Sequence, residues 1–138
     1  MDREGLVLKG KGVVEGRVLG EVLVSTMPIS FLGGVDPETG VVVEKGHDLE
    51  GECLAGKILC FPHGKGSTVG SYVLLALKKK GQAPLALVNE VADPIVVVGA
   101  VVADIPMVIG INLEPLRTGD ILEVDGSEGL VRVIKACS

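Results

Sequence analysis

The sequence predicts a mixed, strand-rich α/β fold in a single compact domain that spans residues 1–138. Short runs of valine, isoleucine and leucine recur between glycine-rich turns, which is the pattern of strands. One such run, residues 57–60, is followed by a glycine-rich segment, a helix-forming run at 73–77 and a second apolar run at 84–89. That order predicts two parallel strands joined by a helix. A chain of 138 residues that is 47% hydrophobic is also long enough to enclose a core.

The first part of the chain predicts strands joined by turns. These strands cover residues 13–18, 21–25 and 41–44. Residues 26–40 predict an exposed, ordered loop, because they contain Pro28, the pair Gly33 and Gly34 and a strong turn signal at 36–40. The glycines between the first two strands suggest bulges or close strand packing.

The central feature is the glycine-rich segment, residues 61–72, with the sequence FPHGKGSTVGSY. Its glycines allow the backbone to come close to whatever lies there; they are Gly64, Gly66 and Gly70. Its hydroxyl groups lie at the start of the predicted helix; they belong to Ser67, Thr68 and Ser71. A helix N-terminus offers free N–H groups, so this place suits an anion.

The remaining elements follow from capping signals and valine-rich runs. Three lysines and Gly81 predict the end of the first helix, because cations and a left-handed glycine favour a helix C-terminus. The valines of residues 95–103 favour a strand, but Asp93 as N-cap and Pro94 at the first position favour a short helix, which we predict. Further strands are predicted at 105–111, 121–124 and 130–135, the last two as a closing hairpin. A β-barrel-like and a layered β/α arrangement both fit this order.

Composition excludes several classes of function. The net charge of −5 and the near absence of aromatic residues argue against nucleic acid as a partner. No apolar run reaches the length of about 20 residues that a membrane span needs, and the charged first residues predict a cytoplasmic protein. The three cysteines are expected to be small buried hydrophobes, and a metal site built by this chain alone is not expected. The high apolar content is compatible with a surface covered by a partner.

Three common motifs are excluded by spacing. A Walker A loop needs four residues between its first glycine and the Gly-Lys-Ser/Thr triplet, and residues 64–67 break that order. A dinucleotide fingerprint would need its third glycine one residue before Gly70. A nucleophile elbow has glycines two residues before and after its serine, whereas Ser67 has Lys65 and Val69 there.

Ser67 is the candidate for chemistry. Backbone N–H groups and the helix dipole would lower the cost of an alkoxide or of a bound carboxylate at this position, with Lys65 nearby. A serine hydroxyl needs such help to act as a general base. The alternative is that Ser67 only caps the helix and that Lys65 is solvated. A hydrolytic pair with His63 is disfavoured, because the sequence offers no third member.

The glycine-rich segment resembles that of the small subunits, or swivelling domains, of aconitase X proteins. Three further stretches extend the resemblance in matching order over nearly the whole chain after Gly16: SFLGGVDPETG at 30–40, LAGK at 54–57 and ADPI at 92–95. Relatives of the hydroxyproline dehydratase branch tend to have Gly-Arg-Gly-Ser-Cys in this segment. The Gly-Lys-Gly-Ser-Thr at 64–68 looks like the mevalonate branch, the archaeal phosphomevalonate dehydratases.

The resemblance implies the swivelling β/β/α domain of aconitase-like enzymes and a large partner subunit that carries an iron–sulfur cluster, expected to be of the 4Fe-4S type. It implies dehydration of a 3-hydroxy acid, here (R)-5-phosphomevalonate to trans-anhydromevalonate 5-phosphate, with Ser67 as proton acceptor. The residues expected to hold the substrate are Lys65, Gly66, Thr68, Gly33 and Gly34. Two alternatives stay open: another aconitase X dehydratase, or a non-catalytic module that binds an anion within such a complex.

Overall fold

Residues 3–137, which the computed structural model describes, contain eight strands and three helices. In chain order the strands are β1 (Val7–Lys9), β2 (Lys11–Val14), β3 (Arg17–Val24), β4 (Ile58–Phe61), β5 (Ala86–Asn89), β6 (Met107–Ile109), β7 (Ile121–Asp125) and β8 (Leu130–Lys135). The helices are α1 (Phe31–Gly34), which is a single irregular turn, α2 (Gly70–Lys79) and α3 (Pro94–Ala103). The strands form one sheet in the order β1-β8-β7-β3-β4-β5-β6-β2.

The centre of this sheet is parallel. β4 pairs with β3 on one side and with β5 on the other, and β6 continues in the same direction beside β5. α2 connects β4 to β5 and α3 connects β5 to β6, as the crossover between parallel strands requires. The predicted parallel strand–helix–strand unit is therefore confirmed. Its consequence is that the carboxyl ends of four strands meet at one edge of the sheet, where ligands of open α/β sheets bind.

Alternation along β4 divides the core into two clusters. Leu59 and Phe61 pack with buried side chains of α2 and α3, whereas Ile58 and Cys60 pack with those of β7 and β8. The antiparallel strands β1, β8 and β7 therefore cover one face of the parallel strands, and the helices cover the other. This three-layer arrangement confirms the predicted β/β/α fold class, and of the two arrangements considered it is the layered one.

Helix α3 forms where its capping residues predict it, in spite of its valines. The Asp93 carboxylate accepts a hydrogen bond from the Ile95 N–H at 2.8 Å, and Pro94 occupies the first helical position. Asp104, with a φ of 54°, ends the helix in the left-handed region. Local capping chemistry thus outweighs the strand propensity of valine at this place.

The first two predicted strands are divided differently in the structure. The sequence predicted one strand over 13–18, but β2 ends at Val14 and β3 begins at Arg17. Gly16, between them, has a φ of 133°, which a residue with a side chain rarely adopts. β3 then continues through Gly20 without a break and pairs with both β4 and β7. β1 was not predicted from the sequence.

The predicted exposed loop at 26–40 is exposed only in part, because some of its apolar residues are buried. Ile29, Phe31 and Val35 are each only 2% exposed and belong to the core cluster beneath the helices. The strand predicted at 41–44 is wrong in detail, because this stretch forms only isolated bridges, Val42 with Val35 and Val41 with Cys53. The side chains of Ile29, Phe31 and Val35 therefore anchor the loop in the core beside the glycine-rich segment.

The cysteines do not share one environment. Cys60 is fully buried in β4, as expected, and burial raises the pKa of its thiol. Cys53 and Cys137 are exposed, so the expectation that all three are buried hydrophobes is wrong for these two. Sequence composition does not distinguish an exposed thiol from a buried one, since exposure depends on where the chain places it.

Candidate functional site

The glycine-rich segment leaves β4 at the carboxyl edge of the parallel strands and leads into α2. Ser67 is exposed, and its Oγ accepts a hydrogen bond from the Val69 N–H at 3.1 Å. Its carbonyl oxygen accepts another from the Gly70 N–H at 3.0 Å. Ser67 therefore caps the turn that precedes α2, and the helix itself begins three residues later, at Gly70. The alternative that Ser67 caps the helix itself is therefore not confirmed, because Val69 occupies the N-cap position of α2 without a side-chain cap, and the Ser67 contact lies within the preceding turn.

Two of the glycines are required by close packing within the chain. A Cβ atom on Gly64 would lie 2.6 Å from Val96 Cγ2, and one on Gly66 would lie 2.7 Å from Ser30 Oγ. Gly66 also has a φ of 88°, in the left-handed region. A Cβ on Gly70 would make only ordinary contacts. Gly64 and Gly66 thus fix the segment against α3 and against the turn at α1.

The turn at α1 lies beside the glycine-rich segment. The Ile29 N–H donates to the His63 carbonyl oxygen at 3.2 Å, and the Lys65 N–H donates to the Ile29 carbonyl oxygen at 3.0 Å. Within this turn Gly33 is exposed, with a φ of 86°, and Gly34 is buried. The structure therefore brings the two predicted glycine-containing stretches side by side, joined by backbone hydrogen bonds.

Lys65 is engaged by a residue that the sequence analysis did not identify. Its ammonium group lies 2.9 Å from Glu44 Oε2, and both side chains are partly exposed. The prediction that Lys65 is either solvated or free to hold an anion is therefore incomplete. An anion that binds Lys65 would compete with Glu44, a carboxylate that follows three valines and gives no motif signal.

A hydrogen-bonded cluster fixes the loop that carries the α1 turn. Asp48 accepts hydrogen bonds from Ser25 Oγ at 2.6 Å and from the Thr26 N–H at 2.9 Å. The buried His47 ring accepts at Nδ1 from the Leu49 N–H and contacts the Pro28 carbonyl oxygen with Nε2. Burial opposes ionisation of Asp48, but the hydrogen bonds from the serine and threonine outweigh it and lower the pKa of the carboxyl group.

This cluster contains Ser, His and Asp but is not a catalytic triad. The serine hydroxyl donates to the aspartate directly, and the histidine ring nitrogens are both engaged with backbone groups. The cluster instead holds residues 25–28 in place, and with them the adjoining α1 turn. It links residues about 20 positions apart, so no spacing in the sequence could have revealed it.

The Asn89 side chain forms a hydrogen bond with the strand end at which the glycine-rich segment begins. It is fully buried at the end of β5, and its Nδ2 donates to the carbonyl oxygen of Phe61, the last residue of β4, at 3.0 Å. Among residues 3–137, Asn89 Oδ1 is a buried side-chain oxygen with no hydrogen-bond partner. The amide therefore fixes the strand end from which the segment departs.

An apolar cleft of about 390 Å³ adjoins Ser67 between α2 and α3. Its lining residues are Thr68, Val69, Ser71, Tyr72, Pro94, Ile95, Val98 and Val102. They include no Asp, Glu, His, Lys or Arg side chain, and Thr68 belongs to the glycine-rich segment. This helical cleft, defined by those residues, lies next to the candidate site without sharing its charged groups.

Within the part of the chain that the structure describes, no group of three His, Cys, Asp or Glu side chains could hold a metal ion. None of the helices between residues 3 and 137 has the length and apolar character to cross a bilayer. The expected cytoplasmic location and the expected lack of nucleic-acid binding stay predictions.

Comparison with known proteins gives a consistent result. The model of the family described as aconitase X swivel domain matches residues 7–133. A Methanosarcina acetivorans protein named phosphomevalonate dehydratase small subunit is 53% identical over 131 residues, which cover 93% of this chain and 91% of that protein. A Pyrococcus furiosus protein of the same name is 54% identical over 127 residues, covering 92% of this chain and 95% of that protein.

Solved structures agree with the sequence comparison. The crystal structure of Thermococcus kodakaraensis aconitase X in its holo form matches with a TM-score of 0.93 and 52% identity, covering 95% of this chain and all of that chain. The solution NMR structure of a UPF0107 protein matches with a TM-score of 0.86 and 47% identity. Both similarities extend over nearly the whole chain, so they include the glycine-rich segment and the elements that position it.

Proposed function

The chain belongs to the aconitase X swivel-domain family, and from that premise we propose that it is the small subunit of a phosphomevalonate dehydratase. Such an enzyme is a hydro-lyase that converts (R)-5-phosphomevalonate to trans-anhydromevalonate 5-phosphate in the archaeal mevalonate pathway. One observation carries the proposal. More than half of the aligned residues are identical to those of relatives that bear this name, and the alignments cover more than 90% of the length of those relatives. The match supports this branch and not the hydroxyproline branch.

In this proposal the large partner subunit carries the iron–sulfur cluster, because the described part of this chain offers no set of ligands for one. The cluster, when bound there, supplies a Lewis acid for the 3-hydroxyl group of the substrate. This chain supplies the other half of the reaction, which is removal of the proton from C2. The active enzyme therefore needs both subunits.

Ser67 is the proposed proton acceptor. Its Oγ, as an alkoxide, takes the proton from C2 and becomes a hydroxyl group, the electrons of the C2–H bond form the C2–C3 double bond, and the 3-hydroxyl group leaves as hydroxide, which takes a proton from solvent to become water. The Val69 N–H, which donates to Oγ at 3.1 Å, stabilises the alkoxide form, and the N-terminus of α2 adds to that effect. The exposure of Ser67 leaves its oxygen accessible to a substrate held by the partner.

Lys65 and the neighbouring backbone hold the anionic groups of the substrate. The ammonium group would exchange Glu44 for a carboxylate or phosphate of the substrate. Gly66 and Thr68 contribute N–H groups next to Ser67, and Thr68 adds a hydroxyl group. The turn with Gly33 and Gly34 borders the same place and closes it on one side.

A second candidate is a non-catalytic module that binds an anion while the large subunit performs the chemistry. The capping contact of Ser67 favours it, because a serine that already accepts a hydrogen bond from Val69 has a sufficient structural role. The two candidates agree on the partner and on the substrate, and they differ only in the role of one oxygen atom.

The test is dehydration of phosphomevalonate by the purified complex of this chain with its large subunit. We expect turnover by the complex and none by this chain alone. A complex that contains an intact cluster and dehydrates hydroxyproline but not phosphomevalonate would overturn the assignment of the substrate. Turnover by the isolated chain would overturn its assignment as a subunit.

A further inference from the structure

The outer surface of α2 and α3 around the helical cleft is apolar and exposed. Tyr72 is 69% exposed, Val98 51% and Val102 52%, and Val69 is similarly accessible. The cleft between them has a volume of about 390 Å³. Contiguous exposed apolar side chains of this kind mark interaction surfaces on folded proteins.

Helix α3 has apolar residues all round. Its sequence, PIVVVGAVVA, contains no charged or hydrogen-bonding side chain. One face is used within the fold, since Val96 and Ala100 are buried and Gly99 lets α2 come close: a Cβ on Gly99 would lie 2.5 Å from Leu74 Cδ1. The opposite face is exposed to solvent, although a surface helix normally has polar residues there and a helix that is apolar all round is normally buried.

We infer that this helical cleft and the exposed face of α3 form the docking surface for the large subunit. The inference rests on the proposed function, which requires Ser67 to meet a substrate held by that subunit. Thr68 lies next to Ser67 in the chain and also lines the cleft. A partner that covers Ser67 therefore continues over the cleft, so the active-site contact and the apolar surface belong to one interface.

The chemistry of the cleft favours a protein over the substrate as its occupant. Phosphomevalonate has a carboxylate and a phosphate, and the cleft offers valine, isoleucine, proline and tyrosine side chains without a cation. Such a surface matches the apolar, aromatic-containing centre of a protein interface. The polar groups of the glycine-rich segment then form part of the rim, where the substrate lies.

We assign the cleft and its exposed side chains to the centre of the interface and not to its whole area. A typical stable interface buries about 800 Å² on each partner, and its fully buried centre is a part of that area. Four side chains that are each about half exposed or more, together with the cleft, form a centre of that kind. Val101, 57% exposed on the same helix, extends the surface further along α3.

The test is the affinity of this chain for its large subunit after substitution in the cleft. Val98→Lys, alone and combined with Tyr72→Glu, places charges in the proposed interface. Lysine is a better helix former than valine, and both positions are exposed, so the fold should persist. The matched control is Ile134→Lys on β8, 43% exposed and in the layer opposite the helices. Circular dichroism and thermal unfolding of the isolated chains verify that each variant is folded.

We expect the dissociation constant measured by titration calorimetry to rise at least tenfold for Val98→Lys and at least a hundredfold for the double variant. It should stay within twofold for Ile134→Lys. Folded cleft variants that bind the large subunit within twofold of the unchanged chain would overturn the inference. So would sedimentation data in which Val98→Lys abolishes self-association of this chain without weakening its binding to the large subunit, because the occupant would then be a second copy.

The same complexes separate this inference from the proposed function. If Val98→Lys weakens assembly but the unchanged complex fails to dehydrate phosphomevalonate, the docking surface stands and the assigned substrate is wrong. If the complex dehydrates phosphomevalonate and the cleft variants assemble normally, the function stands and the docking surface is wrong.

Discussion

The ammonium group of Lys65 lies 2.9 Å from Glu44 Oε2, so the cation nearest Ser67 in the sequence is paired within its own chain. This pair is partly exposed, and exposed pairs contribute little to stability, about 1 kcal/mol or less. It is therefore easily exchanged for a substrate anion. Glu44 keeps Lys65 oriented in the absence of substrate and competes with the substrate when it binds.

The first prediction is that substitution of Lys65 and substitution of Glu44 change the Michaelis constant in opposite directions. Lys65→Ala should raise the Michaelis constant for phosphomevalonate by an amount that corresponds to roughly 1.5–3 kcal/mol, the range for a hydrogen bond to a charged group. Glu44→Gln should lower the constant, because it removes the competing carboxylate. Steady-state kinetics of the two-subunit complex measures both. If the Michaelis constant is unchanged in both variants, the pair is a surface ion pair without a role in substrate binding.

A second prediction concerns the left-handed glycine in the segment. Gly66→Ala should cost about 1–2 kcal/mol for the left-handed backbone. It should cost more because its Cβ would displace Ser30 Oγ, which donates to the Leu32 carbonyl oxygen. Gly56→Ala is the matched control, since Gly56 has a φ of 70° but open space around its Cβ position among the described residues. Urea unfolding should therefore show a larger loss for Gly66→Ala than for Gly56→Ala, and equal losses would contradict the packing argument.

The buried amide of Asn89 gives a prediction with a pH dependence. Asn89→Asp would place a carboxylate against the carbonyl oxygens of Phe61 and Val88, which the amide now contacts as a donor. Burial would raise the pKa of the new carboxyl group above its unfolded value of about 3.9. The variant should lose stability as the pH rises above that unfolded value, reaching about 3–5 kcal/mol near neutrality, the cost of an uncompensated buried charge.

The measurement is the unfolding free energy of Asn89→Asp between pH 4 and pH 7, with Asn112→Asp as control. Asn112 is exposed and acts as an acceptor for the Glu114 N–H, a contact that an aspartate also makes. We expect a steep dependence on pH for the buried position and a flat one for the control. A flat profile at both positions would mean that water reaches Asn89.

A further prediction concerns acid stability and the pair of Arg3 with Asp120. Burial opposes ionisation of Asp120, but hydrogen bonds from the Arg3 guanidinium and from the N–H groups of Cys137 and Arg117 outweigh it and lower the pKa of its carboxyl group. A lowered folded pKa contributes stability that is present above the unfolded value of about 3.9 and is lost as the pH falls through the folded value.

Asp120→Asn should therefore destabilise the chain at neutral pH and make the unfolding free energy less dependent on pH below about pH 4. Glu114→Gln, at an exposed position, is the control and should leave the pH profile unchanged. Denaturant unfolding at a series of pH values measures both. If the unfolding free energy of Asp120→Asn depends on pH as that of the unchanged chain does, the pair of Arg3 and Asp120 does not contribute to the loss of stability in acid.

Local signals predicted those parts of the fold that depend on neighbouring residues. Asp93 and Pro94 identified α3 against a run of valines, since an N-cap acts within one turn of its own helix. The buried position of Ile29 and Phe31 could not be predicted in this way, because the glycines and prolines around them resemble those of an exposed loop. Their burial arises only when the chain folds back over the sheet.

In the candidate site, too, the sequence predicted the local features and missed the contacts that depend on the tertiary fold. Ser67 and Lys65 were identified because they share one short glycine-rich stretch at a helix N-terminus. Two other contacts join residues more than 20 positions apart: the ion pair of Lys65 with Glu44 and the hydrogen bond from Ser25 to Asp48. Such contacts depend on the tertiary fold, and neither residue type nor spacing predicts them.

The last prediction separates the two roles that Ser67 can have. Ser67→Ala removes the oxygen that accepts the Val69 N–H in the turn before α2 and should cost roughly 0.5–1.5 kcal/mol of stability, the net contribution of one hydrogen bond. If Ser67 is also the proton acceptor, the same change should lower turnover about 10²- to 10⁴-fold.

Ser67→Asn is the matched control, because asparagine caps as well as serine does but has no hydroxyl group. It should keep the stability and still lose the turnover, and exchange of the C2 proton in deuterated water should slow in both variants. The spectrum of the partner's cluster and the assembly of the complex should stay unchanged. A lost turn contact affects stability, whereas a lost base affects the chemical step. Turnover of folded, assembled Ser67→Ala and Ser67→Asn complexes within a few-fold of the unchanged enzyme would therefore leave Ser67 with its role in the turn alone and move the base to the large subunit.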